Sequence, residues 1–139
     1  MIVTNIESFV CKVPLSDKAA EHGVRPEIPV TRVTTDEGII GYEFAPVAPR
    51  HLERARRIVL GQEPHNIEAF IQQGLLTCPA VEVALWDIVG KAAGQPIKNL
   101  LGKVRDETPC YLTCVWPGAA DQSDVTYEQQ AADLKYYQD

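Results

Sequence analysis

The chain has 139 residues, of which 45% are hydrophobic and 23% are charged, and its formal net charge at pH 7 is −6. This length and composition allow one hydrophobic core, so we expect one domain with an appended segment. Acidic residues outnumber basic ones by 19 to 13, which argues against nucleic acid and anionic membranes as partners. The chain has no apolar run long enough to span a membrane and no signal-peptide features, so we predict a cytoplasmic protein.

The spacing of cysteines and histidines argues against disulfides and metal sites. Cys11, Cys78, Cys110 and Cys114 do not form a disulfide framework, and in a reducing compartment we expect free, mostly buried thiols. Cys110 and Cys114, even with the three histidines, lack the paired short spacings of a zinc site. The acidic residues show no spacing suited to a hard metal, so we assign no metal ligand to this chain.

The first part of the chain is predicted to form three β-strands. Hydrophobic residues alternate loosely over residues 2–13, which indicates a first strand. A polar loop at 16–26 separates it from two further alternating runs, 29–35 and 39–45. The acidic and glycine residues at 36–38 between these two runs are typical of a β-hairpin turn.

Helical patterns follow the strands. Apolar residues repeat at helical spacing from Arg50 to Leu60, and Gly61 is expected to end this helix. A second, shorter helix is expected over residues 67–73, with Asn66 as its N-cap. Because strands precede helices, we predict an α+β fold, with a three-stranded antiparallel sheet followed by a helical bundle.

Residues 79–102 form the most specific pattern in the chain. Pro79 suits the first turn of a helix and Gly94 suits a left-handed helix exit, so we expect a helix over residues 79–93. Apolar residues cover most of its circumference, which predicts packing on more than one side. Its main apolar stripe consists of Val81, Ala84, Leu85, Ile88 and Ala92.

Polar and apolar side chains around this helix have further expected roles. Asp87 and Lys91 stand four residues apart in the order that favours an ion pair on the helix surface. After the helix, Leu100 and Leu101 are expected to dock before Gly102 turns the chain.

Twelve residues of this stretch fall at the spacing of a known signature. They are Glu82, Ala84, Leu85, Asp87, Ile88, Gly90, Lys91, Pro96, Ile97, Leu100, Leu101 and Gly102. On these residues the chain resembles the mandelate racemase and muconate lactonizing enzyme branch of the enolase superfamily. It departs from the pattern upstream, where Thr77 and Pro79 replace the small residues that usually lead into the helix.

The resemblance implies two parts, an N-terminal α+β domain that caps the active site and a modified TIM barrel that carries a divalent metal and the acid/base residues. We therefore assign residues 1–108 to the capping domain and 109–139 to the first strand and helix of the barrel. The strand is expected at 110–116 and the helix from Thr126. Since a whole barrel takes about 250 residues, we expect the chain to be truncated after this first strand and helix.

The long loop after the first strand is the candidate lid. In the resembled family this loop folds over the barrel mouth, selects substrate and excludes water, and the segment after the third strand, here about 46–51, assists it. By this resemblance His22, Val24 and Arg25 are the lid residues. For His22, a solvated loop with an incidental histidine is the alternative.

Two aromatic residues complete the set of candidate substrate-binding residues. Phe44 ends the segment Gly41-Tyr42-Glu43-Phe44 at a position where the family commonly has glutamate. This apolar replacement indicates either a different substrate or a more distant tie to the characterised members. Trp116 stands at the C-terminal end of the predicted barrel strand, where a TIM barrel places its substrate cavity, and core packing is the alternative.

We assign no catalytic residue to this chain, because the resembled family carries its catalytic lysines, metal ligands and base on later barrel strands. The family implies a Mg²⁺-dependent dehydratase, racemase or cycloisomerase that abstracts a proton next to the carboxylate of a small-molecule acid, such as a sugar acid. The chain alone is then expected to be inactive.

The alternative function is a stand-alone association or regulatory module that uses an exposed strand. The predicted strand at 110–116 has no parallel neighbour within the chain, so we also expect a homo-oligomer.

Overall fold

The computed structural model describes residues 1–17 and 25–110, together with Thr126, Glu128 and Ala131. The chain divides into two units. The first comprises Met1–Pro14 and Pro26–Val104, and the second comprises Leu15–Arg25 and Arg105–Asp139. The strands and helices named below all lie in the first unit.

The first unit contains a three-stranded antiparallel sheet in the order β1-β2-β3. Strand β1 spans Val3–Lys12, β2 spans Glu27–Thr35 and β3 spans Ile40–Glu43. Gly38 in the turn between β2 and β3 has a φ of +81°, which glycine adopts without steric cost. Thr35 Oγ1 closes this turn by donating a hydrogen bond of 2.9 Å to the carbonyl of Ile39. The predicted strands and hairpin are confirmed.

A register irregularity near the start of β1 decides which of its side chains face the core. In a regular strand, residues three apart point to opposite faces, yet Val3 and Ile6 are both buried. The irregularity between Val3 and Asn5 accounts for this, because an extra residue turns the strand by one position. Ile6 then lies opposite Val33 of β2, and both side chains are fully buried.

Helices pack against the face of the sheet that carries this pair. They are α1 (Pro49–Val59), α2 (Ile67–Gln72), a 3₁₀ turn (Leu75–Thr77), α3 (Pro79–Ala93) and α4 (Ile97–Leu100). Helix α3 packs against β2 and β3, whereas α1 packs against β1. The structure therefore confirms an α+β fold, and α3 has the bounds expected from its proline and glycine. Gly94 ends α3 with a φ of +60°.

The apolar stripe of α3 forms the centre of the core. Its fully buried members are Val81, Ala84, Leu85 and Ile88. Ala92 is exposed, contrary to prediction, because it lies in the last turn of the helix, beyond the core. Trp86 and Val89 are half-buried against the core, whereas Val83 is exposed. Helix α3 therefore packs beyond its apolar stripe on only part of its circumference.

Two local predictions about helix ends and docking are wrong. Asn66 makes no side-chain capping bond to α2, since its φ of −81° and ψ of 33° differ from the extended conformation that an N-cap uses. Leu100 and Leu101 are 40% and 61% exposed and do not dock. Helix α4 is a single turn that approaches α3 through Ile97, which lies beside Gly90.

The expectation of mostly buried thiols is wrong for the described cysteines. Cys78 is buried, Cys11 is half-buried and Cys110 is exposed. All three are free, as expected. Cys110 is exposed because it lies in an irregular stretch, residues 105–110, in which every residue is exposed. Cys114 lies outside the described residues.

Gly41 allows α3 to lie directly on β3. A Cβ atom at this position would lie 2.0 Å from the carbonyl oxygen of Ala84 and 2.8 Å from Ile88 Cγ1. Both distances are shorter than van der Waals contact, so no larger residue fits without moving the helix. The close approach places the exit of β3 next to the elements that precede α3.

The outer edge of β3 is covered by two charged side chains of α3. The backbone N–H of Tyr42 donates a 2.9 Å hydrogen bond to Asp87 Oδ2, and Lys91 Nζ donates a 2.7 Å bond to the carbonyl of Ile40. Asp87 and Lys91 also form the predicted ion pair, with 2.6 Å between Oδ2 and Nζ. The pair therefore satisfies backbone groups that an edge strand would otherwise expose.

The outer edge of β1 is covered over its N-terminal half. Val3 exchanges two 2.9 Å backbone hydrogen bonds with residues 61 and 62. Further along, Arg56 of α1 donates two bonds to the carbonyl of Ile6, of 2.9 Å from Nε and 2.7 Å from Nη2. Both contacts tie α1 and the turn that follows it to the edge strand.

Three described residues of the second unit have helical conformation. Asp17, Glu128 and Ala131 are helical. The pKa of Glu128 is lowered because its own backbone N–H and the Thr126 hydroxyl donate hydrogen bonds to the carboxylate. The predicted barrel strand, apart from Cys110, and most of the predicted final helix lie outside the described residues, so the division at residue 108 stays a prediction.

Within the described part of the chain, no helix is both long enough and apolar enough to cross a bilayer.

Candidate functional site

Two of the five predicted substrate-binding residues, Arg25 and Phe44, are among the described residues. His22, Val24 and Trp116 lie outside the described residues. Arg25 is exposed and belongs to the second unit, whereas Phe44 belongs to the first. The proposed lid and the grouping of these five residues therefore stay predictions.

Phe44 follows β3 directly and is 70% exposed. The backbone next to Phe44 is anchored to β2, because Thr31 Oγ1 donates a 3.0 Å hydrogen bond to the carbonyl of Ala45. Thr31 itself is fully buried. A large aromatic side chain thus stands beside an anchored backbone with most of its surface outside the core.

A small cleft lies beside this exit from β3. Its volume is about 100 Å³, and it lies between the segment that follows β3 and the start of α3. The cleft is lined by Ala45, Pro46, Val47, Ala48, His51, Thr77, Cys78, Pro79 and Ala80. Most of the segment 46–51, predicted to assist the lid, therefore lines the same cleft as the residues that lead into α3.

Sequence reasoning did not place Thr77–Ala80 at this surface. Residues 77–80 indicated a helix start and a departure from the family signature, and about 30 residues separate them from the segment across the cleft. No local pattern relates the two segments. They meet because Gly41 lets α3 lie on β3, which brings the N-terminus of the helix to the end of the strand.

The polar groups of the cleft do not form a catalytic set. Arg50 Nε donates a 3.1 Å hydrogen bond to His51 Nε2, so this nitrogen acts as an acceptor and is already engaged. Burial raises the pKa of the Cys78 thiol, partly offset by a hydrogen bond from the backbone of Val81. A protonated, buried thiol is a poor nucleophile. The cleft therefore offers shape and apolar contact rather than acid/base chemistry.

A second, open groove of about 430 Å³ lies at the end of α3. Its charged residues are Asp87 and Lys91, which bond to each other and to the backbone of β3. Because the two charges pair with each other and bond to the strand backbone, they are the groups that hold α3 to β3.

The described residues do not provide a metal site. Among residues 1–17, 25–110 and the three single residues, no group of three or more His, Cys, Asp or Glu side chains could hold a metal ion. The magnesium implied by the resemblance therefore does not fit this part of the chain.

Residues 19–102 match the family described as mandelate racemase / muconate lactonizing enzyme, N-terminal domain. The chain belongs to this family. The match covers β2, β3 and the described helices, including the surface around Phe44. The signature residues Ala84, Asp87 and Gly90 have structural roles in this domain: Ala84 contacts Gly41, Asp87 covers the edge of β3, and Gly90 accommodates Ile97.

Curated relatives have the names of acid-processing enzymes. The chain is 34% identical to "D-galactonate dehydratase" from Verminephrobacter eiseniae, over 73% of this chain and 31% of the relative. It is 29% identical to "N-succinyl-L-Arg/Lys racemase" from Bacillus cereus, over 99% of this chain and 43% of that protein. This chain thus spans about a third of the length of the first relative and less than half of the second.

Solved structures agree on the fold. A mandelate racemase/muconate lactonizing enzyme from Labrenzia alexandrii matches with a TM-score of 0.56 and 30% identity, over 73% of this chain and 30% of that one. D-glucarate dehydratase from Agrobacterium tumefaciens, complexed with magnesium, matches with a TM-score of 0.57 and 25% identity, over 76% of this chain and 34% of that one. The architecture is therefore that of the capping domain of the enolase superfamily.

Proposed function

We propose that this chain forms the substrate-capping domain of a magnesium-dependent enzyme that abstracts a proton next to the carboxylate of a sugar acid. The observation that carries the proposal is the match of residues 19–102 to the N-terminal domain of the family. The names of the relatives support an acid substrate, since they include a galactonate dehydratase and a racemase of an acylated amino acid.

Dehydration is the reaction we favour. The galactonate dehydratase is 34% identical to this chain and the racemase 29%. A structural relative that is complexed with magnesium is also a sugar-acid dehydratase. These similarities support a polyhydroxylated acid as substrate and elimination of water as the outcome.

The described part of the chain contributes a cover to this reaction rather than a reacting group. It has no metal-ligand set, and the cleft beside β3 has no free acid/base pair. We therefore assign the magnesium and the proton-transfer groups to the barrel part of the enzyme. A capping domain excludes water from the reacting centre, which strengthens the electrostatic interactions inside it.

Phe44 is the residue we propose to face the covered site. Its side chain is 70% exposed in the structure, and burying an aromatic ring is favourable by about 25 cal/mol per Å² of apolar area. An apolar ring in this position excludes water without forming hydrogen bonds to a hydroxylated substrate. Together with the proposed lid residues His22, Val24 and Arg25, it would select the substrate by shape.

A domain exchange tests this proposal. In the galactonate dehydratase from Verminephrobacter eiseniae, the segment that matches this chain is replaced by the corresponding residues of this chain. We expect a folded chimaera that requires magnesium, dehydrates a sugar acid and has an altered KM. Phe44→Ala within the chimaera is expected to raise KM, whereas Val83→Ala, an exposed apolar position on α3, leaves it unchanged.

As a positive control, the same segment of the galactonate dehydratase is replaced by the matching segment of another dehydratase of the family. If this control is active and the chimaera folds but is inactive toward all acids tested, the proposed capping role is wrong. If the chimaera is active and Phe44→Ala changes KM no more than Val83→Ala does, the role of Phe44 is wrong while the domain assignment stands.

A further inference from the structure

The backbone geometry of the sheet shows which groups of β1 point away from β2. The N–H of Val13 donates a 2.8 Å hydrogen bond to the carbonyl of Pro26, which fixes the register of the pairing just beyond the end of β1. In an antiparallel pair, residues at two-residue intervals from such a bond also face the partner strand. The even-numbered residues from Ile6 to Lys12 therefore direct their N–H and C=O groups outward.

These outward groups differ in whether they are bonded. The carbonyl of Ile6 accepts two bonds from Arg56. Ser8, Val10 and Lys12 have no backbone or side-chain partner on the outer side within the described part of the chain. The C-terminal half of β1 is thus an open strand edge, whereas the outer edge of β3 is covered by Asp87 and Lys91.

The side chains along this open edge, defined as residues 8–12, favour pairing. Val10 is 61% exposed, and the sequence Ser-Phe-Val-Cys-Lys contains no proline and one charge. Proteins usually protect such an edge, as this one does at β3. The unpaired backbone groups of such an edge can pair with an additional strand, and an exposed β-branched residue at its centre favours this pairing.

We propose that the open edge pairs antiparallel with the same edge of a second copy of this chain, across a two-fold axis at Val10. The open edge is its own complement, because Val10 then lies opposite Val10 of the second copy and Ser8 lies opposite Lys12. All three positions direct their backbone groups outward, as a hydrogen-bonded antiparallel pairing requires. No like charges oppose each other.

The limits of the open edge match this pairing. In the same register, Ile6 faces Pro14 of the second copy. The Ile6 carbonyl is occupied by Arg56, and proline has no N–H to donate, so the pairing ends at the same point on both strands. Two sheets would join into one of six strands, with the two Val10 side chains in contact.

The register can be tested by charge substitutions in the full chain. Val10→Lys and Val10→Glu each place like charges opposite each other across the axis and should weaken association by about tenfold or more. An equimolar mixture of the two variants should recover association. Sedimentation velocity over a concentration series measures this, and Val104→Lys, at a position that is 91% exposed, is the matched control and should behave as the wild type.

Each outcome decides the proposal. A monomeric wild type overturns it, as does association that Val10→Lys and Val104→Lys affect equally. If both Val10 variants are monomeric and their mixture is also monomeric, the edge is involved but the two-fold register is wrong. Circular dichroism of each variant excludes unfolding as the cause.

Discussion

Gly41 is the residue that sets the distance between β3 and α3. Its position opposite the carbonyl of Ala84 leaves no room for a Cβ atom, which would lie 2.0 Å from that oxygen. Ala84 is fully buried, so the helix backbone meets the strand backbone without an intervening side chain. The close contact between β3 and α3 therefore depends on glycine at position 41, which has no side chain.

We expect Gly41→Ala to destabilise the fold by about 3 kcal/mol or more, because the helix must move away from the strand. Gly38→Ala is the matched control: its φ is +81° but no atom lies within 4 Å of its Cβ position, so it should cost about 1–2 kcal/mol. Urea unfolding of both variants measures the difference. A smaller loss for Gly41→Ala than for Gly38→Ala would show that the helix can shift freely.

The N-terminal amino group forms an ion pair with Glu37. Met1 N lies 2.8 Å from Glu37 Oε1, and this hydrogen bond and the nearby carboxylates raise the pKa of the amino group above its usual value of 8.0. A group whose pKa is raised by folding stabilises the fold while it is protonated. Its contribution is therefore present below about pH 8 and is lost as the pH rises through the raised value.

We expect stability to fall between pH 7 and pH 10 in the wild type and to fall less in Glu37→Gln, which cannot form the ion pair. Glu68→Gln, at an exposed position on α2, is the control and should follow the wild type. The urea midpoint at each pH is the measurement. Parallel pH profiles for wild type and Glu37→Gln would contradict this assignment.

At the scale of elements, the ion pair on α3 also serves as a cover for a strand edge. Asp87 Oδ2 accepts both from the N–H of Tyr42 and from Lys91, and Lys91 in turn donates to the carbonyl of Ile40. An ordinary pair on a helix surface contributes only about 0.3–0.5 kcal/mol. The bonds to the strand backbone should make this pair worth more, because they join two elements.

We expect Asp87→Ala to cost about 1–2 kcal/mol, since it removes the acceptor for the Tyr42 N–H. Asp87→Asn keeps an acceptor oxygen and should cost about half as much. Glu53→Ala, which removes a 60% exposed partner of Arg56 on α1, is the control and should cost about 0.5 kcal/mol or less. Equal losses for Asp87→Ala and Asp87→Asn, measured by urea unfolding, would indicate that only the charge matters.

For the whole molecule, we propose that the described part of the chain covers the active site of a longer enzyme. It has a sheet and a helical layer, an anchored backbone at Phe44, and no described set of metal ligands. This arrangement agrees with the family to which the chain belongs, whose matching domain is an N-terminal one.

We expect the 139-residue chain by itself to show no sugar-acid dehydration and no α-proton exchange in the presence of magnesium. Magnesium should also not stabilise it, because a ligand raises stability only if it binds the folded state. Thermal unfolding with magnesium chloride, compared with sodium chloride at equal ionic strength, measures this. A saturable rise in Tm with magnesium alone would reveal a metal site that the described residues do not contain.

Most of the local structure and the family could be predicted from sequence patterns. The strands, the hairpin turn and α3 depend on alternation, proline and glycine within a few residues, and such patterns are visible without a fold. The candidate substrate-binding residues stay predictions, because the lid rests on resemblance and only Arg25 and Phe44 of the five candidates are described.

The way in which these elements meet could not be predicted from the sequence. Asp87 and Lys91 were expected to pair with each other, but they also bond to backbone groups 45 and 51 residues away in the chain. The cleft beside β3 and the open half of β1 likewise depend on where the helices pack. The reason is physical: local patterns fix the conformation of a segment, whereas the packing of α1 and α3 on the sheet decides which backbone groups are covered and which remain open.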